Sequence, residues 1–145
     1  MAATAPHGEL LAHDVGELVG VSGNTIGQWA RRGYIRSSQR ETEPRVYSVE
    51  DVGEAALVTA LLQRGVRRPE IRRAVERLRA EGMPWPLATS RVATVRERRH
   101  TRLLIHLDGG WHELSRRGWQ RVVVPGPIED VSVRLAGGPP AAEAA

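Results

Sequence analysis

The sequence contains no cysteine, no lysine and no phenylalanine. The lack of cysteine excludes disulfides, thiolate nucleophiles and cysteine-bound zinc or iron-sulfur sites. Every one of the 21 basic side chains is an arginine. Together with abundant alanine, glycine and valine, this usage indicates a GC-rich genome, which is usually bacterial.

Long apolar runs and the motifs of common enzymes are also missing. No eighteen consecutive residues are apolar, and the start "MAATAPHGEL" lacks the basic residues and apolar run of a secretory signal. We therefore predict a soluble, cytoplasmic protein with no membrane partner. The chain has no glycine-rich phosphate loop, no Ser-His-Asp set in a recognisable context and no carboxylate pair on a plausible cleft. These absences predict no enzyme, no catalytic residue and no cofactor.

At 145 residues and 16.0 kDa the chain has room for one ordinary domain or for two small modules. Residues 1–9 are predicted to be a disordered leader, and residues 136–145, "AGGPPAAEAA", a flexible tail. The segment "EGMPWP" combines a glycine and two prolines after a helical pattern. It predicts a boundary between a first module at residues 10–82 and a second at 83–135.

The first module is predicted to contain four helices and a hairpin. In "LLAHDVGELVG" the spacing of Leu11, Val15 and Leu18, flanked by Ala12 and Val19, predicts a first helix that ends at Gly20. Ser22 precedes a second helix that buries Ile26 and Trp29 and ends at Gly33.

Two further helices follow a polar loop. Residues 34–36 and 45–47 alternate apolar and polar side chains around that loop and predict a short antiparallel hairpin. Ser48 and Asp51 resemble a capping box that opens the third helix. Pro69 opens the fourth, and its inward stripe is Ile71, Ala74, Val75 and Leu78.

The second module changes to the alternation of β-strands. In "TRLLIHLDGGWHEL", two strands flank "DGG", whose glycines tolerate the positive φ of a tight turn. The segments "ATSRVATVRE", "WQRVVV" and "VSVRL" are further strand candidates. A small antiparallel sheet is predicted.

The second helix carries side chains that suit the DNA major groove. In "VSGNTIGQWARRGYI", Asn24, Thr25, Gln28 and Arg31 project away from the buried Ile26–Trp29 face. Asn and Gln can pair with adenine, and Arg with guanine. Between residues 24 and 47 five arginines accompany two glutamates, a net charge of +3 in a chain of net charge +4. This segregated charge favours a polyanionic partner.

At this point the sequence resembles the winged helix-turn-helix of MerR-type regulators and their excisionase-like relatives. The resemblance lies in "VGELVGVSGNTIGQWARRGYI" followed by "PRVYSVEDV", and it covers residues 10–82. It implies recognition-helix positions at Thr25 and Arg31, a wing arginine at Arg45 beside Tyr47, and a second wing with Arg64, Arg67 and Arg68. The predicted DNA-binding residues are Asn24, Thr25, Gln28, Arg31, Arg32, Arg36, Arg40, Arg45, Tyr47, Arg64, Arg67 and Arg68.

Two departures narrow the resemblance. Family members commonly have Arg and then an aromatic residue where this chain has Gly27 and Gln28, and Gly27 costs the helix about 1 kcal/mol relative to alanine. MerR activators continue into a long dimerisation helix, often with a cysteine metal site, whereas "EGMPWP" interrupts this chain. A metal-sensing activator is therefore not predicted.

Simpler interpretations accompany these predictions. Exposed arginines are often merely solvated. His100, His106 and His112 recur at intervals of six, and His106 could approach His112 across the hairpin. No acid nearby has ligand spacing, so no metal site is predicted. Trp111 and Trp119 either share a core face, which is the favoured interpretation, or form an apolar patch for a partner.

The sequence as a whole predicts an α+β fold: a four-helix winged helix-turn-helix with a β-hairpin wing, followed by a small antiparallel β module. The predicted function is a bacterial transcriptional regulator. A recognition helix at about residues 23–32 enters the major groove of double-stranded DNA, a wing at residues 36–45 lies on the backbone, and a homodimer reads an inverted repeat.

Two alternatives remain open. The second module loosely resembles antitoxin-type regulators, which implies a ribonuclease toxin as protein partner and autoregulation of the operon. An excisionase-like accessory factor would instead bend DNA.

Overall fold

The computed structural model describes residues 10–36, 45–123 and 128–131. The elements in these ranges are, in order, β1 (Leu10–Leu11), α1 (Ala12–Val19), α2 (Gly23–Arg32), β2 (Val46–Tyr47), α3 (Val49–Gln63), α4 (Arg68–Ala80), β3 (Val92–Glu97), β4 (His100–Leu107), β5 (Gly110–Ser115), β6 (Gly118–Arg121) and β7 (Glu129–Asp130). Helices therefore precede an antiparallel sheet, which confirms the predicted α+β class. No helix in the described ranges is long and apolar enough to span a bilayer.

Glycines allow α1 and α2 to pack closely as a helix-turn-helix. A Cβ added to Gly16 would lie 2.5 Å from the carbonyl oxygen of Val21, and one added to Gly23 would lie 3.0 Å from the Cα of His13. Neither position can hold a side chain without moving the backbone. Gly20 ends α1 with a φ of 87°, a conformation that glycine adopts without steric cost.

The packing of Gly16 also decides which face of α1 is buried. Val15 is fully buried, but Leu11 is 42% and Leu18 65% exposed. Val19 and Ala12 are partly buried against the core instead. The predicted first helix is confirmed as α1, but Leu11 precedes it and Leu18 faces solvent, because its buried residues are Val15 and Gly16, which contacts the turn before α2.

The predicted second helix is confirmed as α2. The Ser22 hydroxyl accepts a hydrogen bond from the backbone nitrogen of Thr25 at 3.0 Å, so Ser22 is the N-cap. Gly33 ends the helix with a φ of 87°. Ile26 and Trp29 are 0% and 3% exposed. Their burial anchors α2 in the core.

The starts of α3 and α4 also follow the sequence pattern. The backbone nitrogen of Ser48 donates to Asp51 Oδ2 at 2.8 Å, and the nitrogen of Asp51 donates to Ser48 Oγ at 3.1 Å, which confirms the capping box. Pro69 stands in the first turn of α4. The predicted inward stripe of α4 is confirmed, since Ile71, Ala74, Val75 and Leu78 are all buried.

The pairing predicted for residues 34–36 and 45–47 was wrong. β2 pairs with β1, with Leu10 opposite Tyr47 and Leu11 opposite Val46. Residues 34–36 are not a strand. The backbone nitrogen of Tyr34 donates to the Trp29 carbonyl at 3.0 Å and closes the end of α2, and burial of Tyr34 holds this segment in the core. The tip of the predicted wing, residues 37–44, lies outside the described residues.

The predicted antiparallel sheet is confirmed, with strand order β6-β5-β4-β3-β7. Asp108 and Gly109, with φ values of 46° and 77°, form the predicted tight turn between β4 and β5. The predicted strands in residues 88–97 and 119–124 correspond to β3 and β6. Most of "VSVRL" lies outside the described residues.

One hydrophobic core joins the helices to one face of the sheet. It includes Leu57 and Leu61 of α3, Ile71 of α4, and Leu103 and Ile105 of β4. The core therefore crosses the predicted boundary at residues 82 and 83, and the division into two modules stays a prediction.

Side chains of the helices also hydrogen-bond to the segment that follows α4 and to the sheet. The indole nitrogen of Trp85 donates to Asp51 Oδ1 at 2.9 Å. The backbone nitrogen of Leu103 donates to Glu70 Oε2 at 3.0 Å. These bonds fix the sheet relative to the helix-turn-helix.

Candidate nucleic-acid interface

The face of α2 opposite its buried residues is polar and accessible. Asn24, Arg31 and Arg32 are exposed, and Gln28 is half-buried. Because Trp29 anchors the other face, the direction of these polar side chains is set by the packing of the helix. The residues predicted to face DNA thus lie on the solvent side of α2.

Thr25 has a local role in addition to its predicted one. Its backbone nitrogen donates to Ser22 Oγ, and its hydroxyl lies 2.9 Å from the Ser22 hydroxyl. The side chain is half-buried. Thr25 therefore stabilises the first turn of α2.

Arg31 and Arg45 come together although they belong to different segments. Both line a pocket of about 230 Å³, together with Leu11, Ala12, His13, Gly27 and Tyr47. A Cβ on Gly27 would lie 3.5 Å from Arg31 Nη1, an ordinary contact distance, so the Arg31 guanidinium lies beside Gly27. We call this pocket the Arg31–Arg45 pocket. Two guanidiniums at one pocket suit a phosphate group.

Tyr47 does not belong to an accessible surface. Its exposed fraction is 0%, and it is the largest fully buried side chain of the core. The prediction that Tyr47 contacts DNA is not compatible with this burial, because β2 pairs with β1 and directs the ring inward. Tyr47 supports the pocket from within.

Arg36 is engaged with the chain itself. Its guanidinium carbon lies 5.4 Å from the centroid of the Trp85 ring, in a cation–π contact. The side chain is half-buried. Arg36 therefore links the end of the α2 segment to the segment after α4. Arg40 lies outside the described residues.

The three arginines predicted for the second wing have different surroundings. Arg64 pairs with Glu129 of β7, with Nη1 3.0 Å from Oε1. Arg67 and Arg68 are exposed, and neither has an ion-pair partner within residues 10–36, 45–123 and 128–131. The charge of Arg64 is partly offset, whereas those of Arg67 and Arg68 remain available.

Titratable side chains of α3 and α4 lie buried or half-buried in the core, and one of them, Arg79, contacts the end of α2. Burial raises the pKa of Glu54 to about 8 and also raises the pKa of Asp51. Glu54 accepts a hydrogen bond from the backbone nitrogen of Ala88. Burial lowers the pKa of Arg79, whose Nη1 donates to the carbonyl oxygen of Gly33 at 3.4 Å. α4 thereby holds the C-terminal end of α2.

Histidines of the sheet do not meet at a common point. His106 pairs with Trp111, and His112 with Ile105, so the two histidines lie on opposite faces. Within the described ranges, a three-residue group with ligand geometry is His13, Asp14 and Glu17 on α1. It is a different set from the histidines considered in the sequence. Asp14 Oδ2 already accepts from the backbone nitrogen of Leu11.

Trp111 and Trp119 also lie on opposite faces of the sheet. Trp119 packs against the main core, and Trp111 packs against a smaller cluster of Ala93, Val95 and Leu104 on the outer face. The prediction of a shared core face was wrong, because Trp119 opposes Leu114 while Trp111 opposes His106.

Two arginines beside Arg67 were not predicted as part of a binding surface. Arg98 and Arg99 form the turn between β3 and β4, and they line one pocket with Arg67, Glu97 and His100. The sign in the sequence was "RERRH", a pair of arginines at the centre of a strand-turn-strand pattern where glycine or asparagine is usual.

Residues 12–78 match the family model described as the MerR HTH family regulatory protein. The match begins with α1 and ends within α4, before the sheet. Neither the curated proteins nor the solved structures contain a match to the chain.

Proposed function

We propose, from the similarity of residues 12–78 to the MerR helix-turn-helix family of regulatory proteins, that the protein regulates transcription by inserting α2 into the major groove of DNA. Asn24, Gln28 and Arg31 are the side chains that would meet base edges. Arg32 would contact the flanking phosphates. The observation that carries the proposal is the division of α2 into a buried Ile26–Trp29 face and a polar, cationic outer face.

The Arg31–Arg45 pocket supports a particular orientation of the duplex. Arg45 precedes β2 and reaches the same pocket as Arg31 of α2. A phosphate bound between them would fix α2 in the adjacent groove, since phosphate contacts set position and base contacts set sequence preference. Arg31 would then touch both kinds of group at the groove edge.

We also propose that the regulator acts as a dimer on an inverted repeat. A single short helix reads only a few base pairs, which is too few to distinguish an operator from the many other sites in a genome. Two copies related by a twofold axis would read two half-sites. The sheet, which lies beyond the family match, is the proposed dimer surface.

Selection of bound duplexes from a random pool tests this proposal. Full-length protein should enrich a sequence that consists of two inverted half-sites. Enrichment of a single half-site would contradict the dimer, and a lack of enrichment would contradict sequence-specific binding. A circular-permutation gel shift on the selected duplex separates a simple reader from a DNA-bending accessory factor.

A second candidate function is an antitoxin whose sheet binds a ribonuclease toxin. The observation that favours it is the apolar outer face of the sheet, where Trp111 and Val122 adjoin a small cluster; the next residue, Val123, is 92% exposed. Co-expression with a small protein from the neighbouring reading frame tests it. A complex that Val123→Asp disrupts, with DNA binding unchanged, supports the antitoxin function; co-expression without a complex contradicts it.

A further inference from the structure

We propose that Arg67, Arg98 and Arg99 form a second phosphate-binding site, through which the sheet contacts the backbone of the same DNA duplex. This inference rests on the proposed function. It extends the DNA contact beyond the residues of the family match, which end at residue 78.

The three arginines converge on one open pocket. Arg67 is the N-cap of α4, and Arg98 and Arg99 are the two residues between β3 and β4. With Glu97 and His100 they line a space of about 640 Å³. Gly65, just before Arg67, has a φ of 95° and lies beside Thr101 of β4, so this segment turns next to the start of β4.

Among the described residues, no acidic side chain is paired with the arginines of this pocket. Arg67, Arg98 and Arg99 are exposed, and none of them has an ion-pair partner in the part of the chain that the structure describes. Glu97, the acid of the pocket, pairs with Arg102, with Oε1 3.3 Å from Nη1. Like charges gathered in this way repel one another and would be stabilised by an anionic ligand.

The turn itself has an unfavourable residue at a strained position. Arg98 has a φ of 54°, a left-handed conformation that disfavours side chains other than those of glycine, asparagine and aspartate. The turn between β4 and β5 meets the same requirement with Asp108 and Gly109. One hairpin of the sheet therefore has residues suited to its turn, and the other has arginines instead. A binding role for these arginines accounts for the difference.

The spread of the arginines favours a linear polyanion over a small one. They come from two separate segments, and the turn between β5 and β6 adds exposed Arg116 and Arg117 at the same end of the sheet. One guanidinium can donate two parallel hydrogen bonds to the oxygens of one phosphate. One DNA strand offers several phosphates to arginines from separate turns, whereas a small ion offers a single anionic group.

The experiment compares charge-removing variants of the full chain on the selected duplex, extended by one helical turn on each side. Arg98→Asn and Arg99→Gln are the test variants, singly and together. Arg121→Gln is the matched control, since Arg121 is exposed and lies against Gly110 at the opposite end of the sheet. Thermal unfolding monitors folding, and Arg98→Asn is expected to stabilise the turn.

The salt dependence of binding should fall by about one unit of slope for each arginine removed. The double variant should lose about two units, and Arg121→Gln none. In an ethylation-interference assay, modification of flanking phosphates should weaken binding of the wild type and the control but not of the double variant.

Two results would separate this inference from the proposed function. If the double variant keeps the salt slope, the interference pattern and the sequence-specific binding of the wild type, the second site is refuted. The proposed function as a regulator is then unaffected. Failure of the wild type to bind any duplex more tightly than another would overturn both.

Discussion

Arg31 of α2 and Arg45 beside β2 line the same pocket, although they belong to different segments of the chain. The pairing of β2 with β1 brings Arg45 to this position, and the burial of Trp29 directs Arg31 to it. The short pairing of β1 with β2, two residues in each strand, thus brings Arg45 to the part of the candidate interface that α2 forms.

Replacing Arg45 with alanine tests the phosphate role of this pocket. We expect weaker binding to every duplex, with a salt slope reduced by about one unit and an unchanged order of sequence preference. Fluorescence anisotropy over a range of salt concentrations measures this. Arg121→Ala removes the same charge at the far end of the sheet and should leave the slope as it is. A loss of slope in the control equal to that in Arg45→Ala would refute a local phosphate contact.

Two glycine substitutions in the helix-turn-helix should have opposite effects on stability. Gly16→Ala places a Cβ 2.5 Å from the Val21 carbonyl oxygen and should lower the free energy of unfolding by about 1–3 kcal/mol. Gly27→Ala meets only Arg31 Nη1 at 3.5 Å. It should raise the free energy of unfolding by up to about 1 kcal/mol because alanine favours the helix. Urea denaturation distinguishes the two, and equal effects would contradict the described contact between α1 and α2.

The stability of the protein should fall as the pH rises through the neutral range. Burial raises the pKa of Glu54 from 4.5 to about 8. The folded state therefore keeps a proton that the unfolded state loses in this interval, and the free energy of unfolding decreases from about pH 4.5 to about pH 8.

Glu54→Gln should make this pH profile flatter and should stabilise the protein most at the alkaline end. A residual slope is expected, since burial also raises the pKa values of Asp51 and Glu70. Thermal unfolding across the pH range gives the profile. Glu17→Gln, at an exposed glutamate, is the control. A wild-type stability that rises with pH would contradict the raised pKa of Glu54.

Two tryptophans differ in what their indole nitrogens support. Trp85 donates to the buried Asp51, whereas Trp119 donates to the exposed Glu81 at 3.2 Å. Trp85→Phe should cost about 1–3 kcal/mol of unfolding free energy because a buried carboxylate loses a donor. Trp119→Phe should cost less, because water can replace the lost bond. Denaturation curves of the two variants compare the costs, and a larger cost for Trp119→Phe would contradict this difference.

The parts of the fold that local chemistry decides were predictable from the sequence. Ser22, Ser48 and Asp51 marked helix starts, Gly20 and Gly33 marked helix ends, and Asp108 with Gly109 marked a hairpin. These features depend on neighbours within a few residues. Alternation of apolar residues likewise indicated the sheet.

The parts that depend on distant contacts were not predictable. β1 has two residues, too few for a periodic pattern, so its pairing with β2 and the burial of Tyr47 could not be inferred. Glu54 is a glutamate in an α-helix, a residue usually exposed, and only its contact with the Ala88 segment shows why it is buried. The cluster of Arg67 with Arg98 and Arg99 arises where the start of α4 lies beside the turn between β3 and β4.

The most direct test of the account compares the duplexes that the wild type, Arg31→Ala and Arg121→Ala select from one random pool. If α2 reads the major groove, the wild type and Arg121→Ala should enrich the same inverted repeat, and Arg31→Ala should lose its preference at one base pair of each half-site. Identical consensus sequences from the wild type and Arg31→Ala would contradict base reading by Arg31, and no enrichment by the wild type would contradict a DNA-reading role for α2.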